Sequence, residues 1–231
     1  MVLEPNIAGV AALLAEPSRS MILTALMDGS IRPAGELARL AGIRPQTASL
    51  HLDKLLKGGL VRQETQGRFR YFRLASAEVA KIVESMAAVA APATLKTTRD
   101  TVESRALRAG RTCYDHLAGR LGVDLARALL RSGVVELHTD RWQLGPQGPA
   151  WLGEQGISAE PPAGTRRQFA PACLDWSERQ FHIGGWLGAQ LVATLFDRNW
   201  IERGSQPRVV HVTRLGQRHL KEQWNVESDS T

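Results

Sequence analysis

Residues 35–61, GELARLAGIRPQTASLHLDKLLKGGLV, carry the pattern of two short helices joined by a tight turn. Gly42 is expected just after the first helix, and Pro45 suits the first position of the second. Two helices separated by so short a turn form a helix-turn-helix unit. Apolar residues of the second helix recur with the spacing of one buried face, namely Ala48, Leu52, Leu55 and Leu56. The opposite face is therefore free to meet a partner.

A β-hairpin is predicted directly after this unit. Strands at 60–64 and 69–73 flank a turn at Gln66-Gly67. Arginines and aromatic residues are interspersed in the second strand, so one face can pack on the helices while the other presents guanidinium groups to a DNA backbone or minor groove. The hairpin is interpreted as the wing of a winged helix. A solvated basic hairpin on an unrelated small domain is the alternative.

The exposed face of the second helix and the wing supply the candidate DNA contacts. Together they offer hydrogen-bonding groups for base edges, an apolar contact for a thymine methyl group and cations for phosphate. A helix of this kind fits the major groove of double-stranded DNA. The predicted contacts are Arg44, Gln46, Thr47, Ser49, Leu50, His51, Lys54, Arg68, Arg70 and Tyr71.

This part of the chain resembles the winged-helix repressors of the ArsR/SmtB type. The matching stretches are LLAEPSR at 13–19, TASLHL at 47–52, GLV at 59–61 and GRFRYFRL at 67–74. The resemblance implies a homodimeric repressor that contacts operator DNA through the recognition helix and wing and leaves it when an effector binds. Several metal sensors of that family carry a cysteine pair in the first helix of the helix-turn-helix, and ELARLA at 36–41 has none. Any sensing must therefore be done elsewhere in this chain.

A further helix is predicted after the wing, at 77–90. Ser76 suits its N-cap, and Ala91-Pro92 would end it. Its apolar stripe consists of Val79, Ile82, Val83, Met86 and Val89. In the resembled family a helix here pairs with its copy across a dimer, although packing within one domain would also bury the stripe. The winged-helix and dimerisation domain is thus expected at 1–91, followed by a linker at 92–100.

Composition agrees with a cytoplasmic regulator. A chain of 231 residues has room for one large or two small domains, and its net charge of +6 favours a polyanionic partner. No apolar stretch is long enough to span a membrane, and the N-terminus lacks the pattern of a signal peptide. Two cysteines do not make the disulfide framework of a secreted protein.

The second half of the chain is predicted to contain an internal duplication. HLAGRLGVDLARALL at 116–130 corresponds to HIGGWLGAQLVATLF at 182–196. The expected fold is mainly α with small β-hairpins (α+β), in which each repeat runs helix, strand, hairpin, strand, helix. We therefore expect an effector or interaction domain at 101–224, with repeats at about 111–157 and 171–224 and a disordered tail at 225–231. Identical positions include His116/His182, Gly119/Gly185, Leu121/Leu187, Gly122/Gly188, Leu125/Leu191, Leu129/Leu195 and Glu136/Glu202.

The duplication places the two cysteines at equivalent positions, each followed by an aspartate at +2 and then by a histidine. Zinc and cadmium accept thiolate, imidazole and carboxylate ligands, whereas arsenite and mercury take thiolates. If the repeats face each other, both could close on one regulatory ion and release DNA, with no cofactor otherwise required. A structural cap is the alternative, because each aspartate could accept backbone N–H bonds at a helix start. The candidate ligands are Cys113, Asp115, His116, Cys173, Asp175 and His182.

Two other effector mechanisms remain open. All six tryptophans lie beyond residue 140, and aromatic residues lining a cleft would suit an organic ligand, although they could equally fill a core. The candidate pocket residues are Trp142, Trp176, Trp186 and Arg179. Thiol oxidation would need the Cα atoms of the two cysteines within about 7 Å. An enzyme with a cysteine nucleophile is not expected, because a triplet present in both repeats does not suit one asymmetric catalytic site.

Overall fold

The computed structural model describes residues 5–67, 69–90, 98–165 and 167–226, without the side chains of 98–101. The chain divides into two compact units, Met1–Glu84 and Ser85–Thr231, and each is described here by itself. Helices and small antiparallel sheets make up both units, which confirms the predicted α+β class. In the described part of the chain, no helix has both the length and the apolar character needed to cross a membrane.

The first unit contains the predicted winged helix-turn-helix. Its elements are α1 (Ile7–Leu14), α2 (Pro17–Ala25), β1 (Arg32–Pro33), α3 (Ala34–Leu40), α4 (Pro45–Lys57), β2 (Val61–Gln66), β3 (Phe69–Leu74) and the start of α5 (Ala77–Val89). Gly42, with a φ of 65°, turns the chain between α3 and α4, and Pro45 begins α4 as expected. Strands β2 and β3 form the wing, and β1 pairs with the other edge of β3.

The buried face of α4 differs from the prediction at one residue. Ala48, Leu52 and Leu55 are fully buried, whereas Leu56 is 36% exposed. Eight residues after Ala48, the helix has turned about 80° past two full turns, which moves Leu56 to the edge of the apolar stripe. Phe72 of the wing is also fully buried, so the wing packs into the core of this unit.

The second unit contains one order of elements twice. A helix, α6 (Thr98–Ala109), precedes two runs of hairpin, helix, hairpin, helix. The first run is β4 (Arg111–Cys113), β5 (His116–Ala118), α7 (Gly119–Arg131), β6 (Val135–His138), β7 (Arg141–Leu144) and α8 (Gly148–Gln155). The second run is β8 (Ala172–Leu174), β9 (Phe181–Ile183), α9 (Gly185–Asp197), β10 (Ile201–Arg203), β11 (Val210–Val212) and α10 (Arg214–Trp224). The first hairpin of each run was not predicted, because three-residue strands are too short to show alternation.

Two pairs of equivalent glycines explain part of the sequence identity between the runs. Gly119 and Gly185 begin the long helices with φ values of 73° and 67°, a left-handed conformation that favours glycine. Gly122 and Gly188 lie one turn later, where an added Cβ would stand 2.5 Å and 2.2 Å from the carbonyl oxygens of the preceding strands. The hairpin and helix of each run can therefore approach closely only where the helix has glycine.

Both runs contribute to one apolar core in the second unit. The predicted boundaries need two corrections. Helix α6 begins at Thr98, inside the predicted linker at 92–100, while residues 91–97 lie outside the described part. The predicted tail at 225–231 begins too early, because Asn225 caps α10 and Val226 is only 1% exposed in the core. Residues 227–231 lie outside the described part.

Candidate nucleic-acid interface and metal centre

Helix α4 and its N-cap residue present five of the ten predicted DNA contacts to solvent. Arg44, Gln46, Thr47, Leu50 and Lys54 are exposed, and the side chain of Leu50 is 65% exposed although it is apolar. An exposed leucine among polar groups on a recognition helix is suited to a thymine methyl group. These residues form a continuous surface, because positions three and four apart on a helix are neighbours.

Three of the remaining predicted DNA contacts, Ser49, His51 and Arg70, make interactions within the first unit. Arg70 of the wing donates hydrogen bonds to Asp53 at 3.2 Å and to Ser49 at 3.3 Å, which joins β3 to α4. His51 is half-buried, and its Nε2 lies 3.5 Å from a carboxylate oxygen of Glu16. His51 thus contacts the N-cap residue of α2, and its role as a DNA contact stays a prediction. Tyr71 is half-buried, and Arg68 lies outside the described residues.

The first hairpins of the two runs bring the cysteines and histidines together. Cys113 is directly opposite His116 across β4 and β5, and Cys173 is opposite His182 across β8 and β9. One potential ligand atom from each of these four residues lies within 4.8 Å of all the others. The two Sγ atoms are 4.0 Å apart, and the imidazole centroids are 5.1 Å apart. Three of the four side chains are buried, and Cys173 is half-buried.

The two aspartates do not join this cluster as ligands, which corrects the six-residue set. Asp115 and Asp175 instead lie behind the histidines, with a carboxylate oxygen 3.4 Å from Nδ1 of His116 and 3.5 Å from Nδ1 of His182. Arg167 binds Asp115, and Arg111 donates to both oxygens of Asp175 at 2.9 Å. The carboxylates are thus engaged in salt bridges beside the cluster.

The backbone N–H of Gly119, at the start of α7, also donates to Asp175. The sequence also allowed a structural role in which each aspartate caps a helix start. Asp175 has that role in part, because it accepts a hydrogen bond from the first residue of α7. Arg111 and Arg167 were not predicted as site residues. Arg111 lies 64 residues from Asp175 and Arg167 lies 52 residues from Asp115, so these pairings have no periodic signal in the sequence.

The surroundings of the two histidines shift their pKa values in opposite directions. Burial disfavours the charge on His116, but the neighbouring Cys113 and Asp115 outweigh burial and raise the pKa of His116 to about 9. Burial, followed by the charge of His116, holds the pKa of His182 well below its ordinary value. Among the described residues, no hydrogen bond is made by either ring nitrogen of His182. A neutral, buried imidazole without a hydrogen-bond partner is suited to donate a lone pair to a cation.

Each of the four residues predicted for an organic-ligand pocket has a partner within the second unit. Trp142 is 4% exposed and donates its indole N–H to the carbonyl of His182, and Trp186 is 7% exposed and stacks on Phe169. Trp176 lies against the Arg111 guanidinium, and Arg179 is bonded to a backbone carbonyl. A cavity of about 300 Å³ occurs elsewhere and is lined by Asp124, Arg127, Arg131, Asn225 and Val226.

Comparison with known proteins gives the following similarities. A protein-family model described as a helix-turn-helix domain matches residues 14–64. The chain is 43% identical to the HTH-type transcriptional regulator YdfF of Bacillus subtilis, over 97% of this chain and 100% of that protein. It is 35% identical to the HTH-type transcriptional regulator CmtR of Mycobacterium tuberculosis, over 37% of this chain and 72% of that protein. The crystal structure of NolR from Sinorhizobium fredii is 27% identical, covering 40% of this chain and 99% of that one, with a TM-score of 0.35.

Proposed function

We propose that this chain, which belongs to the HTH-type transcriptional regulators, is a homodimeric repressor of the ArsR/SmtB type. In this proposal the repressor responds to a metal or metalloid ion. In this proposal α4 and the wing bind operator DNA through the first unit. The ion binds in the second unit and releases the DNA. The protein acts by binding, and no catalytic step is involved.

The exposed surface of α4 supports the DNA-binding part of the proposal. Gln46 and Thr47 lie in the first turn of the helix, which is the part of a recognition helix that contacts base edges. Lys54 lies further along the same helix and supplies a charge for phosphate. Arg70 is held by Ser49 and Asp53, which fixes the wing beside the recognition helix.

The exposed apolar side chains of α5 support a homodimer. Ile82, Met86 and Val89 are 41%, 47% and 85% exposed in the single chain. Such a stripe is stabilised when it packs against a second copy, and a dimer would recognise two half-sites about one helical turn apart. Analytical ultracentrifugation that finds a monomer at micromolar concentration would remove the dimer from the model.

The convergence of Cys113, His116, Cys173 and His182 is the observation that carries the metal response. These residues come from hairpins about 60 residues apart in the sequence, so an ion bound to them would connect both runs. An effector shifts an equilibrium only when it binds one conformation more tightly than another. A site shared by two parts of one unit meets that requirement, because any change in their separation changes the ligand geometry.

The test of this function is DNA release. Fluorescence anisotropy of a labelled duplex from upstream of the gene would be measured during titration with zinc, cadmium, arsenite and mercury. We expect one or more ions to release the DNA from the native protein and none to release it from a Cys113→Ser/Cys173→Ser double variant. Tight DNA binding that is indifferent to all four ions would refute metal response.

The separation of the two sulfurs favours thiol oxidation as a second candidate function. Sγ atoms 4.0 Å apart need to approach by about 2 Å to form a disulfide. Hydrogen peroxide would accept two electrons and two protons from the thiols, giving two molecules of water and the Cys113–Cys173 bond. DNA affinity and free-thiol content would be measured before and after peroxide. Loss of both thiols with unchanged DNA affinity would refute this alternative.

A further inference from the structure

We propose that Cys113, His116, Cys173 and His182 form a single closed, tetrahedral site for a zinc-class divalent cation, in which Asp115 and Asp175 position the histidines. This inference rests on the second unit being the place where the proposed effector binds. It deepens that function by naming the class of ion, the ligand atoms and the residues that orient them.

The spacing of the ligand atoms fits a small tetrahedral ion. Zinc–sulfur bonds of about 2.3 Å at a tetrahedral angle place two sulfurs roughly 3.8 Å apart. The Sγ atoms of Cys113 and Cys173 are 4.0 Å apart, and all four potential ligand atoms lie within 4.8 Å of one another. Binding therefore needs side-chain shifts of only a few tenths of an ångström at the sulfurs.

The donor set selects among the ions considered. Two thiolates and two imidazoles are a frequent combination for tetrahedral zinc, and cadmium and cobalt(II) accept it as well. Arsenite and mercury(II) bind thiolates, and this chain has only two cysteines, so the histidines would add nothing to their binding. The structure thus favours a zinc-class cation over a metalloid.

Burial and charge point to a closed site. Cys113, His116 and His182 are buried, and the four protein ligands complete a tetrahedron without water. Two thiolates neutralise a divalent cation, so the complex can be buried without a net charge. The adjacent carboxylates do not upset this balance, because Arg167 pairs with Asp115 and Arg111 pairs with Asp175.

The positions of the two aspartates indicate which nitrogen of each histidine can coordinate the cation. Each carboxylate lies beside Nδ1, at 3.4 Å for His116 and 3.5 Å for His182. A proton held on Nδ1 leaves the lone pair on Nε2 for the cation, and such carboxylate partners fix both the tautomer and the orientation of the ring. His116 makes this contact as a hydrogen bond in the metal-free protein, whereas the Nδ1 of His182 must move closer to Asp175 when the cation binds. In the proposed complex both histidines bind through Nε2.

Each aspartate is itself held by an arginine from a distant part of the second unit. Arg111 begins the first run and binds Asp175 of the second, whereas Arg167 precedes the second run and binds Asp115 of the first. His116 also packs on α9, where a Cβ at Gly188 would be 2.8 Å from the Cβ of His116. The metal ligands and the residues that orient them thus come from both runs. An ion at this site therefore stabilises the packing of one run against the other.

Cobalt(II) titration of the reduced, full-length protein, stripped of metal by a chelator, tests the proposal. We expect one cobalt per chain, the strong visible d–d bands of a tetrahedral complex and sulfur-to-cobalt charge transfer. Zinc should displace the cobalt, and arsenite should not. Weak octahedral bands, fewer than one ion per chain or retention of the spectrum in Cys113→Ser/Cys173→Ser would overturn the proposal.

Matched variants separate ligands from positioning residues. His182→Gln should lose the tetrahedral spectrum, whereas His138→Gln, at an exposed histidine outside the cluster, should leave it unchanged. Asp115→Ala should retain the spectrum but lower cobalt affinity about 10- to 100-fold, and Asp115→Asn should recover part of that loss. Tryptophan fluorescence of each metal-free variant shows whether the second unit is folded. If Cys113→Ser does not fold, the half-buried Cys173→Ser provides the same test.

The cobalt titration tests the metal site separately from DNA release. A tetrahedral cobalt complex in a protein whose DNA affinity does not change supports the site and refutes the proposed metal-responsive repression. Metal-dependent DNA release that persists in His182→Gln supports the repressor function and refutes the four-ligand site.

Discussion

Removal of the Asp175 carboxylate should destabilise the second unit far more than removal of the equivalent Asp115 carboxylate. The two aspartates occupy matching positions in the two runs, and each pairs with an arginine. The pairs differ in burial, because the side chains of Arg111 and Asp175 are both 0% exposed, whereas those of Arg167 and Asp115 are 34% and 29% exposed. Asp175→Ala and Asp115→Ala therefore form a matched comparison.

The magnitude follows from what each substitution leaves behind. Asp175 accepts two bonds from Arg111 and one from the N–H of Gly119, and it also accepts bonds from the hydroxyl and the N–H of Ser177. Asp175→Ala leaves a buried guanidinium without its counter-charge, a change that costs about 3–5 kcal/mol. Asp115→Ala breaks a partly exposed ion pair, which costs about 0–1 kcal/mol.

Tryptophan fluorescence measures this difference directly. All six tryptophans, at 142, 151, 176, 186, 200 and 224, belong to the second unit, so their emission follows its unfolding. With a chelator present, thermal or urea denaturation would be followed at these side chains. A loss of 3–5 kcal/mol lowers the Tm by about 6–20 °C in a protein of this size, and a loss below 1 kcal/mol lowers it by less than about 4 °C.

Equal, small shifts for the two variants would refute the reasoning, because the buried pair would then be no more costly to break than the exposed one. Asp175→Asn provides the control for shape. It keeps an oxygen for the N–H groups but removes the counter-charge, so most of the destabilisation should remain.

Three further outcomes are expected. Measured by anisotropy, Thr47→Ala should reduce discrimination between operator and altered duplexes by about 1–3 kcal/mol, and equal losses on every duplex would contradict its role. Lys54→Ala should weaken binding to all duplexes and reduce the slope of log affinity against log salt concentration by about 1. Gly188→Ala should strongly destabilise the second unit, because its Cβ would lie 2.2 Å from a carbonyl oxygen. The control Gly153→Ala, whose Cβ would have nothing within 4 Å, should stabilise the unit by about 0.5–1 kcal/mol, and similar denaturation midpoints for the two variants would refute the packing argument. Val226→Ala should cost about 1–3 kcal/mol in urea denaturation, and a neutral effect would restore the interpretation of this residue as part of a tail.

The winged helix could be predicted because its signals are local. Gly42 and Pro45 determine where α3 ends and α4 begins. The spacing of Ala48, Leu52 and Leu55 determines which face of α4 is buried. Each signal depends on residues within a few turns of one another. The contact between His51 and Glu16 could not be predicted, because the two residues are 35 positions apart and no pattern in α4 indicates it.

The sequence by itself determined the recognition helix and the wing, the similarity between the two runs, and the cysteines and histidines worth considering as ligands. Only the tertiary structure decided that four of the six candidates meet within 4.8 Å and that Asp115 and Asp175 stand behind the histidines. It also decided that Trp142 and Trp186 fill a core rather than a ligand cleft. The physical reason is that helix and turn preferences act between near neighbours, whereas ligand distances and buried ion pairs depend on how segments some 60 residues apart pack together.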